Sequence, residues 1–185
     1  MDFSTDNLKG FSQDLGSRLN TMNFKQKLYF SLSCIERVLP FYLHYARGKG
    51  MEKLDELSAT IESYWGLSDF PIGALVRAEI PSEWATTDKE VGVVSGEAIN
   101  LFMDYMNHHD NRLIQHVSSK MITVGELLTM KIGDNYVGDE LELQTTAIGD
   151  AEKLDTDDAE ALNDYITRSI QLSSNISGEI ITKIH

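Results

Sequence analysis

Proline is rare in this chain, cysteine almost absent and positive charge in short supply, and each shortage narrows what the molecule can be. Only Pro40, Pro71 and Pro81 lack a backbone donor, so long stretches are free to be helical. The single cysteine, Cys34, cannot form an internal disulfide, and nothing asks for an oxidising compartment. Sixteen basic residues against 29 acidic ones leave a net charge of −13. Nucleic-acid affinity depends mainly on lysine and arginine releasing counterions, so this field argues against a nucleic-acid partner and favours a basic protein or a cation. No positively charged start precedes an apolar run, which gives no sign of a signal peptide and makes the cytoplasm the expected location. The most apolar stretch, Leu28 to Tyr45, is interrupted by Glu36, Arg37 and His44. That reads as a core helix and not a membrane span.

What is present is ordinary for a globular domain: 42% apolar and 24% charged residues in a chain of 185, enough to bury about two-thirds of its unfolded surface. There is no repeat, low-complexity tract or linker, so residues 1–185 are expected to form one domain. Helical spacing recurs from end to end. Leu8, Phe11, Leu15 and Leu19 mark a helix from about Asp6, with Thr5 or Asp6 as its cap. From Asn23 to Arg47, Leu28, Leu32, Ile35, Leu39 and Tyr42 form one stripe and Phe30, Cys34, Val38, Phe41 and Tyr45 another. A helix apolar on two sides belongs in the centre of a bundle. Pro40 lies inside it and predicts a kink, because the carbonyl of Glu36 loses its donor and needs another, from Arg37 or a neighbouring side chain.

A third helix is expected over Met51–Trp65, then an irregular stretch to Asp88 with a short apolar turn or helix over Ile72–Glu79. The Thr86-Thr87-Asp88 capping signal leads into a helix carrying Val91 to Met106. Asp110 or Asn111 opens another with Ile114, Val117, Met121, Val124 and Leu128. The last runs from about Thr156 to Ile184 with Leu162, Ile166, Ile170, Ile176 and Ile180. No segment alternates cleanly, so no strand is predicted. The expected architecture is all-α: a single-domain multi-helix bundle with a kinked central helix.

The run FSLSCIERVLPFY, Phe30 to Tyr42, resembles the signature of the YjaG-like family (domain of unknown function 416), with Glu36, Arg37, Pro40 and Tyr42 matching. AEIPSEW (Ala78–Trp84) and VSSKMITVGELLTMKIG (Val117–Gly133) are similar to two further segments of that family, in the same order. The chain departs from the pattern in lacking paired cysteines near Glu36 and a Phe-Asp-rich loop after Pro81. The resemblance implies a helical bundle in a bacterial cytoplasm with no enzyme activity to carry over. It also implies kinship with immunity-type proteins found beside polymorphic toxins.

The residues themselves offer no catalytic constellation and call for no cofactor. Glu36 and Arg37 point about 100° apart on a helix, so they cannot grip one substrate atom; with Pro40 they are expected to be structural. Cys34 sits on an apolar face and is expected to be buried and inert. His109 and His116 lack the further ligands a zinc site needs, Asp150 to Asp158 lacks EF-hand spacing, and Gly92 and Gly96 lack the Lys-Ser/Thr of a phosphate loop. Met103, Met106, Met121 and Tyr105 have core spacing. The outstanding feature is acidic. Between Asp134 and Asp164 lie eleven carboxylates and one base, Lys153. Asp139, Glu140, Glu142, Asp150, Glu152, Asp155, Asp157 and Asp158 are the candidate partner-binding residues, with Trp84 as a candidate anchor. A solvated loop and helix N-terminus is the plainer account of the same charges. The functional expectation is an immunity-type protein that occludes a basic toxin domain. The alternative is a housekeeping bundle that binds a small ligand or forms a homodimer.

Overall fold

A computed structural model describes residues 5–67, 75–80 and 90–184. Among these are seven α-helices, one 3-10 turn and no strand: α1 (Thr5–Thr21), α2 (Phe24–Gly48), α3 (Leu54–Ser63), the 3-10 turn (Tyr64–Gly66), α4 (Val91–His108), α5 (Asn111–Ile132), α6 (Tyr136–Lys153) and α7 (Ala159–Ile181). One continuous core draws side chains from every helix.

The central element is α2, and its sequence explains why. Asn23 caps it by accepting from the Gln26 backbone N–H while the Gln26 side chain accepts from the Asn23 N–H, a reciprocal arrangement that satisfies two otherwise orphan donors. Its two apolar stripes are buried on opposite sides, except that Tyr45 is half-buried. α3, α4, α5, α6 and α7 all pack on it. Helical structure continues through Pro40. The carbonyl of Glu36, four residues earlier, accepts from the Ser173 hydroxyl on α7. A neighbouring helix therefore supplies the donor that proline removes.

Gly92 and Gly96 do serve a purpose, though not phosphate binding. A Cβ on either would collide with Tyr45 or Tyr42, so their absent side chains let α4 press directly onto α2. Gly125 does the same for the next pair: a Cβ there would lie 3.0 Å from the Tyr136 carbonyl oxygen, where α5 meets the start of α6.

Several boundaries differ from expectation. α3 starts three residues after Met51 because Lys53 is left-handed (φ 61°), which no helix can incorporate. α1 already includes Thr5 and Asp6, so neither is its cap. Leu75–Ile80 is not helical; the backbone N–H and carbonyl of Ala78 both bond the Asn100 side chain of α4, at 3.0 and 2.9 Å. α7 starts later than Thr156, since Asp155 and Asp158 close a turn and Asp158 then caps Glu160 and Ala161. The largest difference is α6. A segment read as an acidic loop is a full helix whose inner face is Leu141, Gln144, Ile148 and Ala151.

Candidate functional site

α6 and α7 both lie on α2, yet they make little contact with each other beyond the Arg168–Asp150 ion pair. Helices in contact normally sit 8–10 Å apart; here the space between them is a groove floored by α2 and, at one end, by Met121, Val124, Gly125 and Leu128 of α5. Two cavities of about 290 and 280 Å3 occupy it, and Arg37 and Leu143 line both. Val38 and Phe41 of α2, Leu143 of α6, and Leu172, Ile176 and Ile180 of α7 give it an apolar lining. Asp134, Asp139, Asp150 and Glu179 stand among the residues that border it.

Beneath this lining is a buried ionic network. The Arg37 side chain is only 4% exposed and that of Glu140 12%. Arg37 Nη2 and Nε donate to the two Glu140 oxygens at 2.9 and 3.3 Å, and Nη1 donates to the Ser33 carbonyl at 2.9 Å. Gln144 continues the network: its Nε2 donates to Glu140 at 2.8 Å and to the Ser118 carbonyl, while the Ser118 hydroxyl donates to its Oε1. The chain of bonds runs from α2 through α6 to α5. Burial pulls the Arg37 guanidinium down, but the charge of Glu140 and its hydrogen bonds outweigh that and hold it firmly protonated. Such pairs are retained only when hydrogen bonds satisfy both ions, as they are here.

Glu36, one residue away, faces elsewhere. Its carboxylate accepts from the Trp65 indole N–H at 3.0 Å, and Trp65 stacks on Tyr29 at 5.9 Å with Tyr165 edge-on at 6.5 Å. Burial raises the Glu36 pKa, against the pull of the Trp65 N–H. The divergence expected of adjacent helical residues is what separates the two partners. Cys34 is buried beneath Arg37, and desolvation pushes its thiol up to about 11. A thiol so placed is not a nucleophile at neutral pH.

The eight acidic candidates do not form one surface. Glu140 points inward to Arg37 and is largely buried. Around α6, Glu152 pairs with Arg18 of α1 at 2.6 Å, and Asp150 with Arg168 of α7 at 3.4 Å. Asp155 and Asp158 hold the turn into α7, beside an exposed Asp157 that is 3.8 Å from Lys25. Asp139 and Glu142 are exposed and form no ion pair among the described residues; Asp139 borders the groove. Trp84 lies outside the described residues. So do Pro71, Pro81 and the Thr86-Thr87-Asp88 signal.

Of the expected α7 core positions, only Ile180 is fully buried. Ile170 is 37% exposed and its neighbour Leu172 39%. The apolar stripe was readable; that nothing covers part of it was not. Leu143 and the pairing of Glu140 with Arg37 escaped the sequence reading because they depend on α6, whose inner face carries Gln144 with Glu140 at its edge; Leu172 of α7 escaped it too. No group of three or more His, Cys, Asp or Glu among the described residues could hold a metal ion, and no helix described is long and apolar enough to cross a membrane. The arrangement suits a ligand with an apolar body and positive charges at its edge. Comparison of the chain with known protein families, with curated proteins and with solved structures found no match. The likeness to the YjaG-like family therefore rests on the quoted motifs alone.

Proposed function

We propose that this protein is a cytoplasmic binding protein that neutralises a basic protein partner by occlusion, as an immunity protein does a toxin domain. The observation that supports this reading is the α6–α7 groove, which is lined by apolar side chains such as Phe41, Leu143, Leu172 and Ile176. It is bordered by Asp134, Asp139, Asp150 and Glu179 against a single base among the described residues, Arg168. An interface of this kind has a desolvated centre and a polar, solvated rim. The chain-wide charge of −13 adds a long-range pull that speeds encounter with a basic surface. Occlusion needs no covalent chemistry, only a few buried anchors and a face wide enough to exclude substrate.

The test uses the product of the gene adjacent to the one encoding this chain. Expressed alone in a bacterial host it should arrest growth, and co-expression of this chain should restore growth. The purified pair should co-elute, and their association should slow as salt is added. A neighbouring product that is harmless, or whose toxicity this chain does not relieve, would count against the toxin reading.

A further inference from the structure

We infer that the groove between α6 and α7 is the docking site for a cationic amphipathic helix presented by a protein partner. The inference rests on the reading of the protein as a binder of a basic partner, and it adds the form that partner takes at the contact.

Length comes first. The residues of α7 that line the two cavities run from Tyr165 to Ile180, and those of α6 from Tyr136 to Asp150. At about 1.5 Å per residue both walls are roughly 21–22 Å long, the length of about four helical turns. The two walls match, and the floor is α2 throughout, joined by α5 beneath the larger cavity, so the space is a trough between two helices. Leu143 divides it over Arg37 into two cavities of similar size. That division suits side chains recurring at helical spacing, one group on each side of Leu143.

Charge comes second. Two ion pairs cross the trough, Arg168–Asp150 at 3.4 Å and Lys183–Asp134 at 3.6 Å. All four side chains are substantially exposed, and such exposed pairs hold only weakly. A lysine or arginine on the polar flank of an incoming helix can replace Arg168 or Lys183 as the partner of Asp150 or Asp134 at little cost. Asp139 has no ion pair among the described residues and stands ready for a third. Leu172 at the rim is 39% exposed, apolar surface that a docked helix would cover.

A synthetic helix of about 15 residues with a leucine stripe and lysines elsewhere is the probe, and a scrambled peptide of equal charge is the control. Fluorescence anisotropy should show the striped peptide binding roughly tenfold more tightly, about the effect of losing one good apolar anchor. Amide NMR shifts should be confined to the residues of α2, α5, α6 and α7 that line the groove. Leu172→Glu, on an exposed position that leaves the melting temperature unchanged, should weaken the striped peptide although it adds an attractive charge. Asp139→Asn should weaken it less and flatten its salt dependence. Equal binding of both peptides, indifference to Leu172→Glu, or shifts elsewhere would overturn the groove while leaving growth rescue by the full chain intact. A dimer that Leu172→Glu dissociates would also overturn it, because a second copy would then be the occupant. Loss of growth rescue together with absent peptide binding would remove the broader reading too.

Discussion

The two sides of α2 are built on different principles. On one side α4 buries Val91, Val93, Val94, Ala98, Ile99, Phe102, Met103 and Met106, all at 5% exposure or less. Its glycines bring the backbone against Tyr42 and Tyr45. On the other side α7 buries only Tyr165, Ser173, Ser177 and Ile180, and α6 contributes Gln144 and Glu140 to its contacts. The first side excludes water and is held by apolar area. The second is held by specific polar bonds and leaves apolar side chains partly uncovered. The difference separates the permanent core of the fold from a face built like half of an interface.

The comparison can be broken by truncating each side in turn. Phe102→Ala, at a position with 0% exposure, should give the largest loss, about 3–5 kcal/mol in urea unfolding. A loss below about 1 kcal/mol would mean the α2–α4 side is not the dry core described. Arg37→Met comes next. It leaves the Glu140 carboxylate buried with only Gln144 as donor, and removing one partner of a buried pair costs about 3 kcal/mol or more. The sharper form is the double variant Arg37→Met with Glu140→Leu, which should be more stable than Arg37→Met alone. If it is worse than both single variants, the pair contributes more than mutual neutralisation.

Ser173→Ala should cost less, about 1 kcal/mol, the usual value for one hydrogen bond. Because it leaves the Glu36 carbonyl without its donor beside Pro40, hydrogen exchange should accelerate around residues 36–40 and not across α4. Uniform acceleration would show that α7 and α4 are not separable in the way their packing suggests.

How far the sequence could be read follows the same division. α2, α4 and α5 were legible because their buried positions are almost wholly apolar and recur at helical period. α6 was not. Its inner face includes Gln144, with Glu140 on its edge, and Gly138 and Gly149 interrupt the run, so its periodicity resembled a charged loop. The bond between Arg37 and Glu140 spans 103 positions, and neither residue's local pattern names the other. The groove was hidden for a different reason. Periodicity shows which face of α7 is apolar, but not whether another helix covers it, and Ile170 was counted with the core on that ground.

The smallest expected effect is a change of pH dependence. Burial lifts the Glu36 carboxyl above its ordinary 4.5, the Trp65 N–H opposes the lift and Glu62 adds to it. Between the unfolded and folded values the folded protein keeps a proton that the unfolded chain has released. Glu36 therefore costs stability progressively as pH rises through that window, and the cost is complete above the folded value. A glutamine at this position has no charge to desolvate, and its amide oxygen can still accept from the indole. Glu36→Gln should consequently gain on the parent as pH is raised from below 4.5 to neutrality, seen as a growing difference between their urea midpoints. A difference that stays constant with pH would mean the Glu36 carboxylate is as well solvated folded as unfolded. The Trp65–Glu36 contact would then belong to the wet side of α2 and not to its core.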